Sequence, residues 1–319
     1  MDLSYETDLG SILTCHLFLP YFFFLFHDLA NFQTLIQSSK RVKMKKTVSS
    51  HQISTKSGAI VTVSDFGAHV LSWIPANRTE NLLYLSKKSD LSGKTAIRGG
   101  IPIIFPQFSN RGPLPKHGFA RLAEWELTEI TEGETESSLT FRLEDSPESR
   151  YIWLYRFKAT YQVKLTTNQL QTSLSIYNNG VQSYSFTTAL HSYFSVQDIQ
   201  TTTLNGLDRL TYTDSLKNNE KGTSKVDKLS FSEETDRIYL DAIHPLFINQ
   251  AGKPILKIES AGFKDAVVWN PWEETGAKLA DLDKNGYQQF LCVEPASIEN
   301  PILLNPGQTW TGSQLLTSL

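Results

Sequence analysis

From Ile53 to Leu319 the chain is a succession of short β-rich runs closed by turn residues, with no helix-period pattern of convincing length. Runs fall at 59–63, 70–74, 125–130, 138–143, 157–165, 170–177, 183–190, 255–258, 266–269, 289–294 and 308–313. Several alternate cleanly, as Tyr161, Val163 and Leu165 do against Gln162 and Lys164. Thr166-Thr167-Asn168 and Asn178-Asn179-Gly180 supply turns between them. Strands this short and this numerous predict an all-β sandwich. A length of 319 residues admits one large domain or two. Between Ile53 and Leu319 there is no repeat, low-complexity tract or Pro/Ser linker, so one domain over 47–319 is expected.

Residues 1–46 read differently. Leu17 to Phe26 is intensely apolar but short, and Pro20 interrupts it, where a spanning helix needs roughly 20 apolar residues. Asp2, Glu6 and Asp8 precede that run, which argues against a signal or transit peptide. Lys40, Arg41, Lys43, Lys45 and Lys46 then surround Met44. We expect an N-terminal extension of unassigned role, a folded protein that starts near Met44, and no membrane association. Two cysteines, Cys15 and Cys292, form neither a disulfide framework nor a zinc-ligand spacing, and they suit a reducing, cytoplasmic compartment.

A net charge of -3 gives no global basic footprint for nucleic acid, so clustered cations are informative. The stretch Arg98-Gly99-Gly100-Ile101-Pro102-Ile103-Ile104-Phe105-Pro106-Gln107-Phe108 is followed by a turn and then Lys116-His117-Gly118-Phe119-Ala120-Arg121. Its prolines rule out an ordinary central strand or helix interior. A rigid apolar loop with Arg98, Lys116 and Arg121 at its ends is a wall suited to a small anion, arginine offering a planar fork and lysine a point charge. The plain alternative is a structural loop with solvated arginines.

Three further groups could carry chemistry. His191, where a strand of small and apolar residues meets Tyr193 and Phe194, can move a proton near neutral pH, or can be packed for structure. Glu294 ends the apolar run 290–293, so it pairs with a cation, faces a cleft or lies in solvent. Burial would raise its pKa and make it a stronger base when ionised. Asp236 closes an acidic segment and either is solvated or accepts hydrogen bonds from sugar hydroxyls. Trp269-Asn270-Pro271-Trp272 offers aromatic surface for a sugar ring, or a core tryptophan in a turn. His117, His191 and Glu294 lack a tight metal-ligand spacing, and no metal is expected.

Taken in order, Arg98-Gly-Gly-Ile-Pro, His117-Gly-Phe-Ala-Arg121, Leu190-His191-Ser-Tyr-Phe, Glu234-Thr-Asp236, Val268-Trp-Asn-Pro-Trp272 and Val293-Glu294-Pro resemble the aldose 1-epimerase family, in particular its hexose-6-phosphate mutarotase branch. The resemblance covers roughly residues 53 to 315. It implies a galactose mutarotase-like β-sandwich and a cofactor-free exchange of α and β anomers, with Glu294 as general base and His191 as general acid. By the same resemblance Arg98 and Arg121 grip a phosphate, Asp236 holds sugar hydroxyls and His117 lies in the pocket. Lys116 stands where related sequences often carry Gln, and either adds a phosphate contact or points to solvent. The expected ligand is a small sugar phosphate, with no nucleic-acid partner and a monomeric protein. The competing readings are an epimerase of free aldoses and a non-catalytic carbohydrate-binding sandwich.

Overall fold

The computed structural model describes residues 48–319; the N-terminal extension of the sequence reading lies outside them. Every strand-to-strand ladder is antiparallel, and the strands fall into three sheets. The largest has nine strands, in the spatial order Lys228–Ser230, Thr202–Asn205, Leu246–Gln250, Lys253–Ala261, Thr309–Ser318, Gln169–Tyr177, Lys158–Thr166, Glu136–Glu144 and Glu126–Thr131. The second has eight. Glu220–Thr223, Thr211–Asp214, Thr235–Tyr239, Asp265–Asn270, Phe290–Leu304, Tyr184–Leu190 and Ile103–Ile104 follow in order, and Tyr193–Ser195 pairs with Phe290–Leu304 off that path. Ser50–Ser54, Ile60–Ser64 and His69–Ile74 make a third, three-stranded sheet.

The period-2 pattern decides which face is dry. Along Lys158–Thr166, Ala159, Tyr161, Val163 and Leu165 are buried while Lys158, Gln162 and Lys164 point outward. They join Phe141 and Leu139 from the neighbouring strand in a core that also takes Tyr239, Val268, Leu291 and Val293 from the eight-stranded sheet. The two large sheets therefore share one apolar interior. Each large side chain buried there contributes roughly 1.5–3 kcal/mol relative to exposure. The expected sandwich is present, with the three-stranded sheet adding Val61, Val63 and Trp73 to the same core.

Several elements escape the sequence pattern. Thr211–Asp214, Glu220–Thr223 and Lys228–Ser230 are polar edge strands with little burial to impose alternation. Among the described residues two short α-helices occur, Pro147–Ile152 and Trp272–Lys278. The first is started by a reciprocal cap, in which Ser146 Oγ accepts the Ser149 N–H at 3.1 Å and Ser149 Oγ accepts the Ser146 N–H at 2.9 Å. No helix among the described residues is long and apolar enough to cross a membrane.

The stretch from Arg98 to Arg121 is as irregular as its prolines require. Pro102 and Pro106 leave room for a strand of only two residues, Ile103–Ile104, at the sheet's edge. Gly100, at φ 61°, passes so close to its neighbours that a Cβ there would meet the Val70 carbonyl oxygen and stand 2.6 Å from His69 Nε2. His69 is fully buried beneath this turn and donates its Nε2–H to the Gly99 carbonyl at 2.7 Å. Burial, opposed by that bond, lowers its pKa to about 4. A histidine held neutral in the fold and free to charge when unfolded stabilises the protein above its ordinary pKa of 6.5; that contribution fades as pH falls through 6.5 towards 4. Urea midpoints measured across this range should fall with pH in the parent, and the part due to His69 should vanish in His69→Gln. An unchanged pH slope in the variant would remove His69 from the account.

Candidate active site

The outer face of the eight-stranded sheet carries the site, and strand register explains why. On Phe290–Leu304, Leu291 and Val293 face the core, so Phe290, Cys292 and Glu294 face the other way. Cys292 pairs in register with Trp269 and with Tyr193, and Trp269 pairs with Asp236. Asp236, Trp269, Cys292 and Tyr193 thus form one row across four strands. Ile238, Val267 and Glu294 form the next row. Loops rise around these rows to enclose a cleft of about 400 Å³.

Six of the seven residues expected from sequence line that cleft: Arg98, Lys116, His117, His191, Asp236 and Glu294. The seventh, Arg121, does not. Its Nη2 donates to the Lys116 carbonyl at 3.0 Å, and its Nε is buried with no hydrogen-bond partner among the described residues. Its charge still reaches His117, His191 and Glu294. Of the tryptophan pair, Trp269 lines the cleft, while Trp272 opens a helix and packs against Tyr287 with ring centroids 5.5 Å apart.

His191 and Glu294 are the floor. Nδ1 of His191 lies 3.1 Å from Oε1 of Glu294, side chains 10% and 1% exposed. The contact is not aligned as a hydrogen bond, and Oε2 of Glu294 has no partner among the described residues. Burial, with the nearby Asp236 carboxylate, pushes the Glu294 pKa well up; Arg121 pulls the other way. Burial also pushes the His191 imidazole well down, aided by His117, Arg98 and Arg121. The ring is held between Tyr193, stacked at 4.8 Å, and Trp269, edge-on at 5.8 Å.

His117 sits in the left-handed region at φ 67°, unusual for a side chain with a Cβ. Its Nδ1 accepts the Ser109 N–H at 3.3 Å, which assigns the remaining proton to Nε2 in the neutral ring. Burial and the charges of Arg121, Lys116 and Arg98 lower its pKa to about 2. His117 is therefore a neutral donor or acceptor here, not a cation.

Arg98 is fixed from behind. Its Nε donates to Asp281 at 3.2 Å and its Nη1 to the Tyr193 hydroxyl at 3.0 Å. Burial works against its charge, but Tyr193 and Asp281 outweigh burial and raise its pKa. Asp236 is raised by burial, against a hydrogen bond from Ser215. Sequence reasoning missed Asp281 and Tyr193 as holders of Arg98, and it passed over Arg111, Ser215, Asn219 and Thr275 in the cleft wall. Arg111 alone had a local signal, being a cation in the turn between the two halves of the conspicuous stretch.

One group among the described residues could hold a metal ion. The ligating atoms of His191, Cys292 and Glu294 lie within 4.8 Å of one another. Burial raises the Cys292 thiol well above its ordinary pKa, and Arg98 and Arg121 make the surroundings electropositive. The walls thus favour an anion over a cation.

Residues 49–317 match the family model described as aldose 1-epimerase. A protein of Cenchrus ciliaris named "Putative glucose-6-phosphate 1-epimerase" is 35% identical over 80% of each chain. One of the same name from Escherichia coli is 33% identical over 72% of this chain and 77% of its own. The crystal structure of a mutarotase of Salmonella typhimurium, titled "putative", superposes with a TM-score of 0.75 at 28% identity, over 82% of this chain and 88% of that one. The fold is accordingly galactose mutarotase-like, and the chain belongs to the aldose 1-epimerase family.

Proposed function

We propose that this protein interconverts the α and β anomers of a hexose 6-phosphate, glucose 6-phosphate first among them, by acid–base opening and reclosure of the ring. The observation that carries the reading is the buried His191–Glu294 pair, 3.1 Å apart on the floor of a cleft whose walls hold Arg98 and Lys116. The names of the two relatives point the same way.

The pair works with one shared proton. Glu294 as carboxylate takes the proton from the C1 hydroxyl, and His191 as imidazolium gives one to the ring oxygen. The C1–O5 bond breaks as the C1 carbonyl forms. Glu294 is then a carboxylic acid and His191 a neutral imidazole, the forms that burial favours for each. The ion pair is therefore the form that opens the ring, and the neutral pair the form that recloses it. Rotation about C1–C2 and the reverse transfer close the other anomer, with no net change in the protein. An acid and a base of this kind each contribute on the order of 10²–10⁴ in rate.

Asp236 and the face of Trp269 hold the sugar, and His117 Nε2–H is a further donor to it. Arg98 and Lys116 answer the phosphate, with Arg121 adding charge from outside the cleft wall. The test is exchange NMR between the anomers of glucose 6-phosphate, with glucose and galactose alongside. Saturable exchange of the phosphate ester is the expected result. Exchange of the free sugars alone would keep the acid–base pair and discard the phosphate; binding without exchange would leave a carbohydrate-binding sandwich.

A further inference from the structure

We infer that Tyr193 is the positioning residue that sets the phosphate grip and the ring-oxygen acid at the spacing these two groups need on a hexose 6-phosphate. This rests on the reading above, in which Arg98 answers the phosphate and His191 protonates the ring oxygen. In the substrate only C5, C6 and O6 separate that oxygen from phosphorus. The two side chains must therefore be near neighbours held in a fixed relation, and Tyr193 touches both.

The hydroxyl of Tyr193 accepts Arg98 Nη1–H at 3.0 Å, and its ring lies flat against His191, with centroids 4.8 Å apart and planes 6° from parallel. Asp281 takes Arg98 Nε–H at 3.2 Å, so two acceptors orient the guanidinium while Nη2 stays unbonded among the described residues. Arg121 Nε is likewise without a partner there, so the donors left for an anion belong to the Arg98–Arg121 stretch. Burial pushes the Tyr193 pKa well up, against the pull of Arg98. The phenol is therefore neutral, and Arg98 keeps its charge for the ligand. An aromatic face attracts a cation, so the stacked ring favours His191 as imidazolium, the form that gives its proton.

Tyr193 has little freedom of its own. It is 2% exposed, and its ring packs on Phe290 at 5.2 Å and meets Trp269 edge-on at 6.0 Å. Its N–H donates to the Gly100 carbonyl at 2.9 Å, its carbonyl accepts the Tyr84 N–H at 2.9 Å, and Cys292 is its partner in register. The bond to Gly100 reaches the turn that carries Arg98, and the pairing with Cys292 reaches the strand that carries Glu294. One rigid ring thus registers the arginine, the acid and the base.

The experiment compares Tyr193→Phe and Tyr193→Leu with the parent protein, reading exchange kinetics on glucose 6-phosphate and glucose together with calorimetric binding of glucose 6-phosphate. Tyr193→Phe keeps the ring and removes the acceptor of Arg98. It should raise KM for the ester on the order of tenfold and depress the ester-to-glucose ratio of kcat/KM to match, the value of a hydrogen bond to a charged group. Tyr193→Leu removes the ring as well and should add a fall in kcat of similar size on both sugars. Equal losses on both sugars in Tyr193→Phe, or a parental KM for the ester, would reduce Tyr193 to core packing and overturn the inference while leaving the proposed function standing. A folded Tyr193→Leu with parental kcat would overturn the link to His191; if that variant does not fold, Tyr193→Phe tests the inference alone. A parent that binds the ester without exchanging it fails the proposed function, and a tenfold weaker Kd in Tyr193→Phe would then still keep the hold on Arg98. A parent that neither binds nor exchanges the ester removes both.

Discussion

Glu294→Gln is expected to slow anomer exchange by roughly 10²–10⁴ and at the same time to raise the melting temperature near neutral pH. The amide is nearly isosteric with the carboxylate, so packing against Cys292 and Val267 is kept while the base is lost. The gain in stability follows from linkage. Burial raises the Glu294 pKa in the folded state, so the fold is favoured by protonation there. That favourable contribution is complete below the ordinary carboxylate value and is lost as pH rises through the raised one. The amide never ionises and escapes the loss. Melts at two pH values, one on each side of neutrality, should diverge between parent and variant at the higher one. A variant with parental exchange rates would remove Glu294 as the base. A variant less stable than the parent at high pH would show that Arg121 outweighs burial. Gains of stability on removal of a functional group are the common pattern at sites arranged for reaction.

Gly118→Ala should be the most damaging single methyl in the cleft wall. Gly118 has φ 67°, and a Cβ would be driven against the Phe105 carbonyl oxygen and stand 2.7 Å from the Pro106 nitrogen. That carbonyl also accepts the Phe119 N–H at 3.0 Å, so it cannot retreat without breaking the loop's attachment. Left-handed strain and backbone overlap together should cost about 2–4 kcal/mol. The neighbour His117 is left-handed as well, and its N–H donates to the Ser109 carbonyl at 3.0 Å. Displacing Gly118 therefore displaces His117 and Lys116. Denaturation should show the lost stability, and exchange kinetics should show a fall in kcat/KM even in molecules that remain folded. Parental stability would mean that the Pro-rich loop yields more readily than its packing suggests.

What the sequence made legible, and what it did not, follows from the range of the interactions. Strands such as Lys158–Thr166 announce themselves because one face is buried and the other wet, so the chemistry of each residue records its side. Glu220–Thr223 buries nothing and carries no such record. Gly99, Gly100 and Gly118 mark irregular backbone locally, which is why the Arg98–Arg121 stretch stood out before its surroundings were known. His191 and Glu294 were visible as polar groups in apolar strands, but their 3.1 Å approach depends on pairing between segments 103 residues apart in number. The same holds for Arg111 and Asn219, whose contact joins two polar loops, neither of which carries a pattern. Arg121 is a further case. Its local motif was conspicuous, but nothing local records that its Nη2 donates to the Lys116 carbonyl while its Nε is left without a partner among the described residues.

The division of Phe290–Leu304 into an inner face of Leu291 and Val293 and an outer face of Cys292 and Glu294 sets how such a cleft can be altered. Positions 236 and 269, which line the cleft, can be exchanged for other side chains with the inner packing left in place, so ligand preference can drift while folding is preserved. A one-residue insertion or deletion upstream of Glu294 in the same strand has the opposite character. It would turn the carboxylate into the apolar interior and the valine into the cleft in a single step. Libraries built for new sugar specificities should therefore vary the outward positions of neighbouring strands, keep Glu294 and the inner residues of this one, and leave its length unchanged.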